Sequence, residues 1–205
     1  MKPIFSRNED IDKTAFLNWR ISRDDGIKNM INMADGFMLS SINLAKLSLI
    51  NNNDKTADIL IFPMLTNVNH GIELYLKAIM WLYNILLDSD QRIEGSHNIR
   101  QIFKTVKSKA KSYSQNNNLN DFNNVMLDLE NYIDELFSQI KATQKNDNMD
   151  FSRYPFDKKY KGHFYVDMVG NVEIDLENFI IRFENIRKSL DDISDFLYYI
   201  EINRN

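Results

Sequence analysis

The sequence predicts an all-α protein: an antiparallel helical bundle of five or more helices with one small β-hairpin near residues 163–174. Three observations carry that expectation. Apolar residues recur at alternating spacings of three and four over several long stretches, which places them on one face of a helix. Helix-interrupting residues are scarce, with six Gly and three Pro in 205 residues. Asn clusters separate the apolar stretches, and Asn tolerates the left-handed backbone of turns.

Taken in chain order, residues 12–20 read as a short helix and residues 27–50 as a long one that stops at Asn51-Asn52-Asn53-Asp54. The central helix follows, with Phe62, Leu65, Ile72, Leu76, Ile79, Tyr83 and Leu86 on its seam and Asn69 in the vacant seam position. Its remaining positions are also rich in Leu, Ile and Met, so it is expected to be the most buried, and Pro63 should kink it or mark its first turn. Residues 98–113 form the next helix, with Ile99, Ile102, Phe103, Val106 and Ala110 on one face. After Asn116-Asn117-Asn118, residues 119–141 form another through Phe122, Val125, Leu129, Ile133, Leu136 and Ile140. Phe164, Val166 and Met168, then Val172 and Ile174, alternate around Val169-Gly170-Asn171, which gives the hairpin. The last helix, residues 175–203, is expected to be the longest or nearly so. Leu176, Phe179, Phe183, Ile186, Leu190, Ile193, Leu197 and Ile200 make its seam, and Asp175 suits its N-cap.

Hydrophobic residues at 43% and charged residues at 26% are ordinary globular values, and the length fits a single domain over residues 1–205. A net charge of -4 means that any nucleic-acid role needs a local basic patch. The chain has no cysteine, so disulfides and thiolate zinc sites are excluded. The N-terminus turns acidic too early for a secretory signal. The most apolar run, residues 78–87, is about half of a bilayer span. A soluble, cytoplasmic protein without membrane contact is the expectation. Glycine loops that cradle phosphates, the H-E-x-x-H and G-x-S-x-G motifs, and metal-ligand spacings are all missing, so neither a metal nor a cofactor is expected.

The polar residues that do not fit the core are few. His70, Glu73 and Lys77 share one face of the central helix beside Asn69. They are either a satisfied ion-pair stripe or a polar cluster facing a groove. His97 opens the next helix, where a helix dipole depresses an imidazole pKa and free N–H groups bind anions; it is equally a capping-region residue without chemistry. Arg92 lies five residues before His97 with Gly95 between them. Arg153 precedes Tyr154 and Pro155 on a loop that the proline stiffens. It can clamp a phosphate or carboxylate, or tie the loop down through backbone carbonyls.

The stretch Asn69-His70-Gly71-Ile72-Glu73-Leu74-Tyr75-Leu76-Lys77-Ala78, followed by Gly95-Ser96-His97-Asn98-Ile99 and Phe151-Ser152-Arg153-Tyr154-Pro155, resembles bacterial HEPN-like proteins. Comparable motifs there are an E-x-x-x-K-A helix, a G-H-D-L helix start and an R-Y-P loop. The resemblance spans residues 69–197. It implies an antiparallel helical bundle, often a homodimer, and in many members a metal-independent ribonuclease of toxin–antitoxin or phage-defence systems. RNA or a nucleotide, and an antitoxin or other protein, are the partners it implies.

Two functions of different class follow. In the first, His97 is general base or acid in an RNA cleavage where the ribose 2′-OH attacks the neighbouring phosphorus. Arg153 or Arg92 offsets the phosphorane charge, and Glu73 orients a side chain such as His70. In the second, the same groove, with Asn69, His70, Lys77 and Tyr154 as binding residues, takes a nucleotide, nucleic acid or partner protein without chemistry. In both, Glu73, His97 and Arg153 converge on one groove, with Glu73 the expected partner of Arg153.

Overall fold

The computed structural model describes residues 2–89, 96–114, 119–142, 147–166 and 168–202. Its axis is the central helix, which is also the longest. In chain order the elements are a short 3-10 turn (Ile11–Lys13), α1 (Gly26–Ile50), α2 (Ala57–Leu86), α3 (Ile99–Tyr113), α4 (Asn120–Val125), α5 (Leu127–Gln139) and α6 (Leu176–Asp195). A π turn, Phe196–Glu201, prolongs α6. Helix α2 packs against α1, α3 and α6. It buries residues around most of its circumference: Ile72, Tyr75, Leu76, Ala78, Ile79 and Leu82 are all fully covered. Pro63 falls inside α2, beyond its first turn.

Several starts were written in the side chains. Asp25 Oδ1 accepts from Lys28 N at 2.8 Å to cap α1, Asn98 Oδ1 accepts from Gln101 N at 3.0 Å to cap α3, and Asp175 Oδ1 accepts from Glu177 N and Asn178 N to cap α6. The Asn run after α1 behaves as a turn, with Asn52 Oδ1 accepting from Ala57 N at 3.0 Å. Residues 116–118 lie outside the described residues.

The α6 seam faces the core. Phe179, Phe183, Ile186, Leu190 and Leu197 are buried, while Ile193 is half-buried and Ile200 is 43% exposed. Ser194, one turn beyond Leu190, takes the buried position that Ile193 was expected to fill. Arg187 Nε donates to Asp35 Oδ1 at 2.5 Å and Tyr75 OH to the same oxygen at 3.2 Å, so α6, α1 and α2 are pinned together.

Three expectations are corrected. No strand exists among the described residues, and the one bridge in this region joins Phe156 to Gly162, ahead of the expected hairpin. The alternating residues Val166, Met168, Val172 and Ile174 are all at least 40% exposed, so no surface covers a face that two strands cannot stabilise alone. Residues 12–20 form no α-helix. Leu17 and Trp19 are about 80% exposed, so a helix there would have no buried face. The helix expected over 119–141 breaks at Met126, and Met126 rather than Val125 becomes the core residue.

Gly71 brings α1 and α2 into contact beside the polar stripe. A Cβ there would meet Met38 Cγ at 2.8 Å and the Ala34 carbonyl oxygen at 3.0 Å, and Met38 is itself fully buried. Gly71→Ala should therefore destabilise the protein by about 1–3 kcal/mol despite its better helix propensity. Thermal unfolding is the measurement; a melting temperature equal to or above wild type would mean that Met38 moves aside at no cost.

Candidate functional site

One face of α2 carries a polar ladder: Thr66, Asn69 with His70, Glu73 and Lys77, each about one turn (5.4 Å) beyond the last. All of these rungs but Lys77 line a cavity of about 240 Å³ together with Phe37 from α1, His97 from the segment before α3, and Met149, Ser152 and Arg153 from the loop after α5. The structure thus brings Asn69, His70, Glu73, His97 and Arg153 to one pocket. Lys77 reaches it only through Glu73. Tyr154 is 57% exposed and stands outside the lining. Arg92 lies outside the described residues. A slightly larger depression, about 280 Å³, lies between the N-terminal arm and α1. It is lined by Phe16, Leu17, Trp19 and Met33, with Arg20 its only charged group, so the acid–base groups belong to the smaller cavity.

Glu73 is the hub. Its Oε1 accepts from Lys77 Nζ at 2.8 Å and stands 2.9 Å from His97 Nδ1, while His70 Nδ1 is 3.8 Å from Oε2. At 3.8 Å His70 acts through its dipole or charge rather than a direct hydrogen bond. Burial alone would raise the carboxyl pKa, but His70, Lys77 and His97 together outweigh it and hold the group at about 2. The carboxylate is therefore ionised and can only accept. Nδ1 of His97 must carry the proton between them, so that whenever the imidazole is neutral its lone pair lies on Nε2. Tautomer choice here follows from the carboxylate, not from the helix dipole: His97 lies one residue ahead of the N-cap Asn98.

The pairing expected between Glu73 and Arg153 does not form. Glu73 is already satisfied by nitrogens on its own helix and from the α3 approach. The Arg153 side chain has no hydrogen-bond or ion-pair partner among the described residues, although its backbone N–H donates to Asp150 O at 2.9 Å and its loop is firmly held. Ser152 Oγ accepts from Thr66 Oγ1 at 2.9 Å, Tyr165 OH donates to the carbonyls of Phe151 (2.8 Å) and Tyr154 (3.1 Å), and His163 N donates to Pro155 O at 3.0 Å. Arg153 is therefore not what ties the loop down. Its neighbours are anchored and its guanidinium is left for something else.

Asn69 is buried, and its Oδ1 accepts from Tyr132 OH at 2.8 Å. That phenol is buried and needs an acceptor for its proton, so the amide orientation is set by α5. Thr66 and Ser152, which fix the loop to α2, were missed in the sequence. Thr66 continues the Asn69–Glu73–Lys77 spacing one turn earlier, so extending the stripe would have found it. Phe37, whose ring meets the His70 ring edge-on at 4.5 Å, had no sequence signal, because only helix packing brings α1 there. His163, buried with Nε2 3.6 Å from Asp150 Oδ1, was hidden at the edge of the supposed hairpin.

Among the described residues no group of three or more His, Cys, Asp or Glu side chains is placed to hold a metal ion, and no helix is long and apolar enough to cross a membrane. Comparison with protein-family models, with curated proteins and with solved structures finds no match to this chain.

Proposed function

We propose that the chain is a HEPN-like antiparallel helical bundle that cleaves RNA at the His97 pocket without a metal ion. The observation that carries the reading is the relay Lys77–Glu73–His97 opening onto an unpaired Arg153. The relay supplies a base in a defined tautomer, and Arg153 supplies a cation with no competing partner among the described residues. In the proposed reaction Nε2 of His97 takes the proton of a ribose 2′-OH as its oxygen bonds to the adjacent phosphorus. The guanidinium of Arg153 faces the charge that grows on the phosphoryl oxygens. The P–O5′ bond breaks, the proton passes to the departing oxygen, and the products are a 2′,3′-cyclic phosphate and a 5′-hydroxyl.

The test is incubation of the protein with single-stranded RNA in excess chelator. Cyclic-phosphate ends from wild type and none from the His97 variant are expected; intact RNA with wild type would remove the enzymatic reading. A second reading is favoured by the openness of the site: the His97 side chain is 72% exposed, so little here excludes water. On that reading the pocket holds a nucleotide or nucleic acid through Arg153 and performs no chemistry.

The resemblance also implies a homodimer. Phe196, Tyr199 and Ile200, all more than 40% exposed at the end of α6, offer an apolar surface for it. Light scattering at micromolar concentration should give twice the chain mass of 24.2 kDa, and the chain mass alone would rule the dimer out.

A further inference from the structure

The proposed chemistry uses Arg153 but leaves unexplained the segment that follows it. Residues 153–161 read Arg-Tyr-Pro-Phe-Asp-Lys-Lys-Tyr-Lys. Four cationic side chains stand there against one carboxylate, in a chain whose net charge is -4. The segment is an ordered loop. Phe156 and Gly162 form its closing bridge, and Asp157 N donates to Lys161 O at 2.8 Å. Asp157 Oδ1 accepts from Lys159 N at 2.7 Å and Lys161 N at 3.0 Å, and Tyr160 takes the left-handed conformation that completes the turn, with φ 59°. Those backbone donors lower the Asp157 pKa, so the turn stays capped at neutral pH.

The tip of this loop displays what a packed surface normally hides. The rings of Phe156 and Tyr160 stack with centroids 5.3 Å apart and planes at 29°, yet Phe156 is 41% and Tyr160 is 84% exposed. A stack with one open face can be extended by another planar ring. Lys158, Lys159 and Lys161 are exposed around it, and Arg153 joins the loop to the His97 pocket. Aromatic platforms set among cations suit single-stranded nucleic acid: bases stack irrespective of sequence while lysines neutralise the phosphates. An acidic peptide would use the lysines but has no need of an exposed ring pair. A duplex keeps its bases stacked on one another and unavailable to a protein ring.

We infer that the loop 156–161 is a docking surface for single-stranded nucleic acid, with a base stacked on Tyr160 and phosphates on the three lysines, leading the strand past Arg153 to His97. The inference deepens the proposed RNA cleavage by naming the form of the substrate. It rests on that reading for the direction of the strand, but binding by the loop can be measured without any cleavage.

The experiment is fluorescence anisotropy of a labelled oligothymidylate of about twelve residues, a length within the range that single-strand binding folds cover, against the full chain. The probe has no 2′-OH and is not cut. Wild type should bind, with affinity falling as salt rises by a log–log slope of about -2, from three lysines at about -0.7 each. The triple variant Lys158→Gln/Lys159→Gln/Lys161→Gln should lose most of that slope. Tyr160→Asn, which tolerates the left-handed backbone, should weaken binding about tenfold or more at unchanged salt slope. Circular dichroism and thermal melting should match wild type for both, since every substituted side chain is exposed. Three results would overturn the inference: no binding by wild type at low salt, undiminished binding by the folded variants, or equal binding of a labelled polyglutamate. Oligothymidylate binding without RNA cleavage would leave the docking surface standing and remove the nuclease reading; RNA cleavage without loop-dependent binding would do the reverse.

Discussion

Glu73→Gln should lower the stability of the protein by about 2 kcal/mol at neutral pH and flatten its response to acid. The side chain of Glu73 is 9% exposed and that of its partner Lys77 is 11% exposed, so the substitution leaves a nearly buried ammonium facing an uncharged amide. The carboxyl falls from an ordinary 4.5 to about 2 on folding. A depressed acid stabilises the native state above its unfolded pKa. That contribution is complete above pH 4.5 and is lost as pH falls from there toward 2, because the unfolded chain takes up the proton first. The full shift corresponds to about 3 kcal/mol, and the open side toward His97 lets solvent screen part of it. Urea unfolding at pH 7, 4.5, 3 and 2 would show the gap between wild type and variant closing across that window. A gap that stays constant to pH 2 would mean that Glu73 is not the group responsible. Removing both partners, as Glu73→Gln with Lys77→Met, should cost less than the two single changes added together, because neither is then left unpaired.

That cluster also shows which parts of the site a sequence can display. The ladder on α2 was legible because a helix turns spacing into adjacency: Asn69, His70, Glu73 and Lys77 share a face whatever the helix packs against. The seams of α3 and most of α6 were legible for the same reason, with Ile99, Ile102, Phe103, Val106 and Ala110 all buried. The expectation that His97 and Arg153 share a groove with Glu73 is met in that one cavity is lined by all three. The partners of Glu73 were legible only in part. The i,i+4 spacing to Lys77 offers the ion pair that forms at 2.8 Å, whereas the pairing expected with Arg153 does not form, its loop being anchored elsewhere by Thr66 and Tyr165. The hairpin misled because alternation over a few residues reports strand geometry only when a surface covers one face. Val169, at the centre of the supposed turn, is fully exposed and its neighbours have nothing to pack on. The break at Met126 was equally invisible, since the seam continues across it with a shift of one residue.

His97→Asn should reduce RNA cleavage by at least about 100-fold, the usual contribution of a positioned base, and leave the melting temperature within about one degree of wild type. The side chain is 72% exposed and contributes to no core contact, so little stability is at stake. Asparagine is chosen because its amide can still donate to Glu73 Oε1 from near the place of Nδ1, so the carboxylate keeps a hydrogen-bond partner and only the proton-accepting nitrogen disappears. Glu73→Gln makes the complementary change. It keeps the imidazole but lets an amide nitrogen face Nδ1, which favours the tautomer with the proton on Nε2 and blocks that atom as a base. On the proposed reading Glu73 is a positioning residue: its loss should lower kcat with little change in KM, and should change the pH profile. His97→Asn should lower kcat and remove the limb of the profile that the base sets. On the proposed reading, Arg153→Gln should lower kcat and weaken substrate binding together, because the cation would face the phosphoryl group both before and during the reaction. Single-turnover cleavage of a short RNA by the three variants separates these patterns. If His97→Asn cuts as fast as wild type, the base lies elsewhere and the relay only holds α2 to the segment before α3. If all three variants bind RNA as wild type does and none of the four proteins cuts it, the pocket neither binds nor cleaves RNA. If Arg153→Gln alone weakens binding while wild type does not cut, the pocket is the recognition site of a protein whose chemistry, if any, is done by a partner.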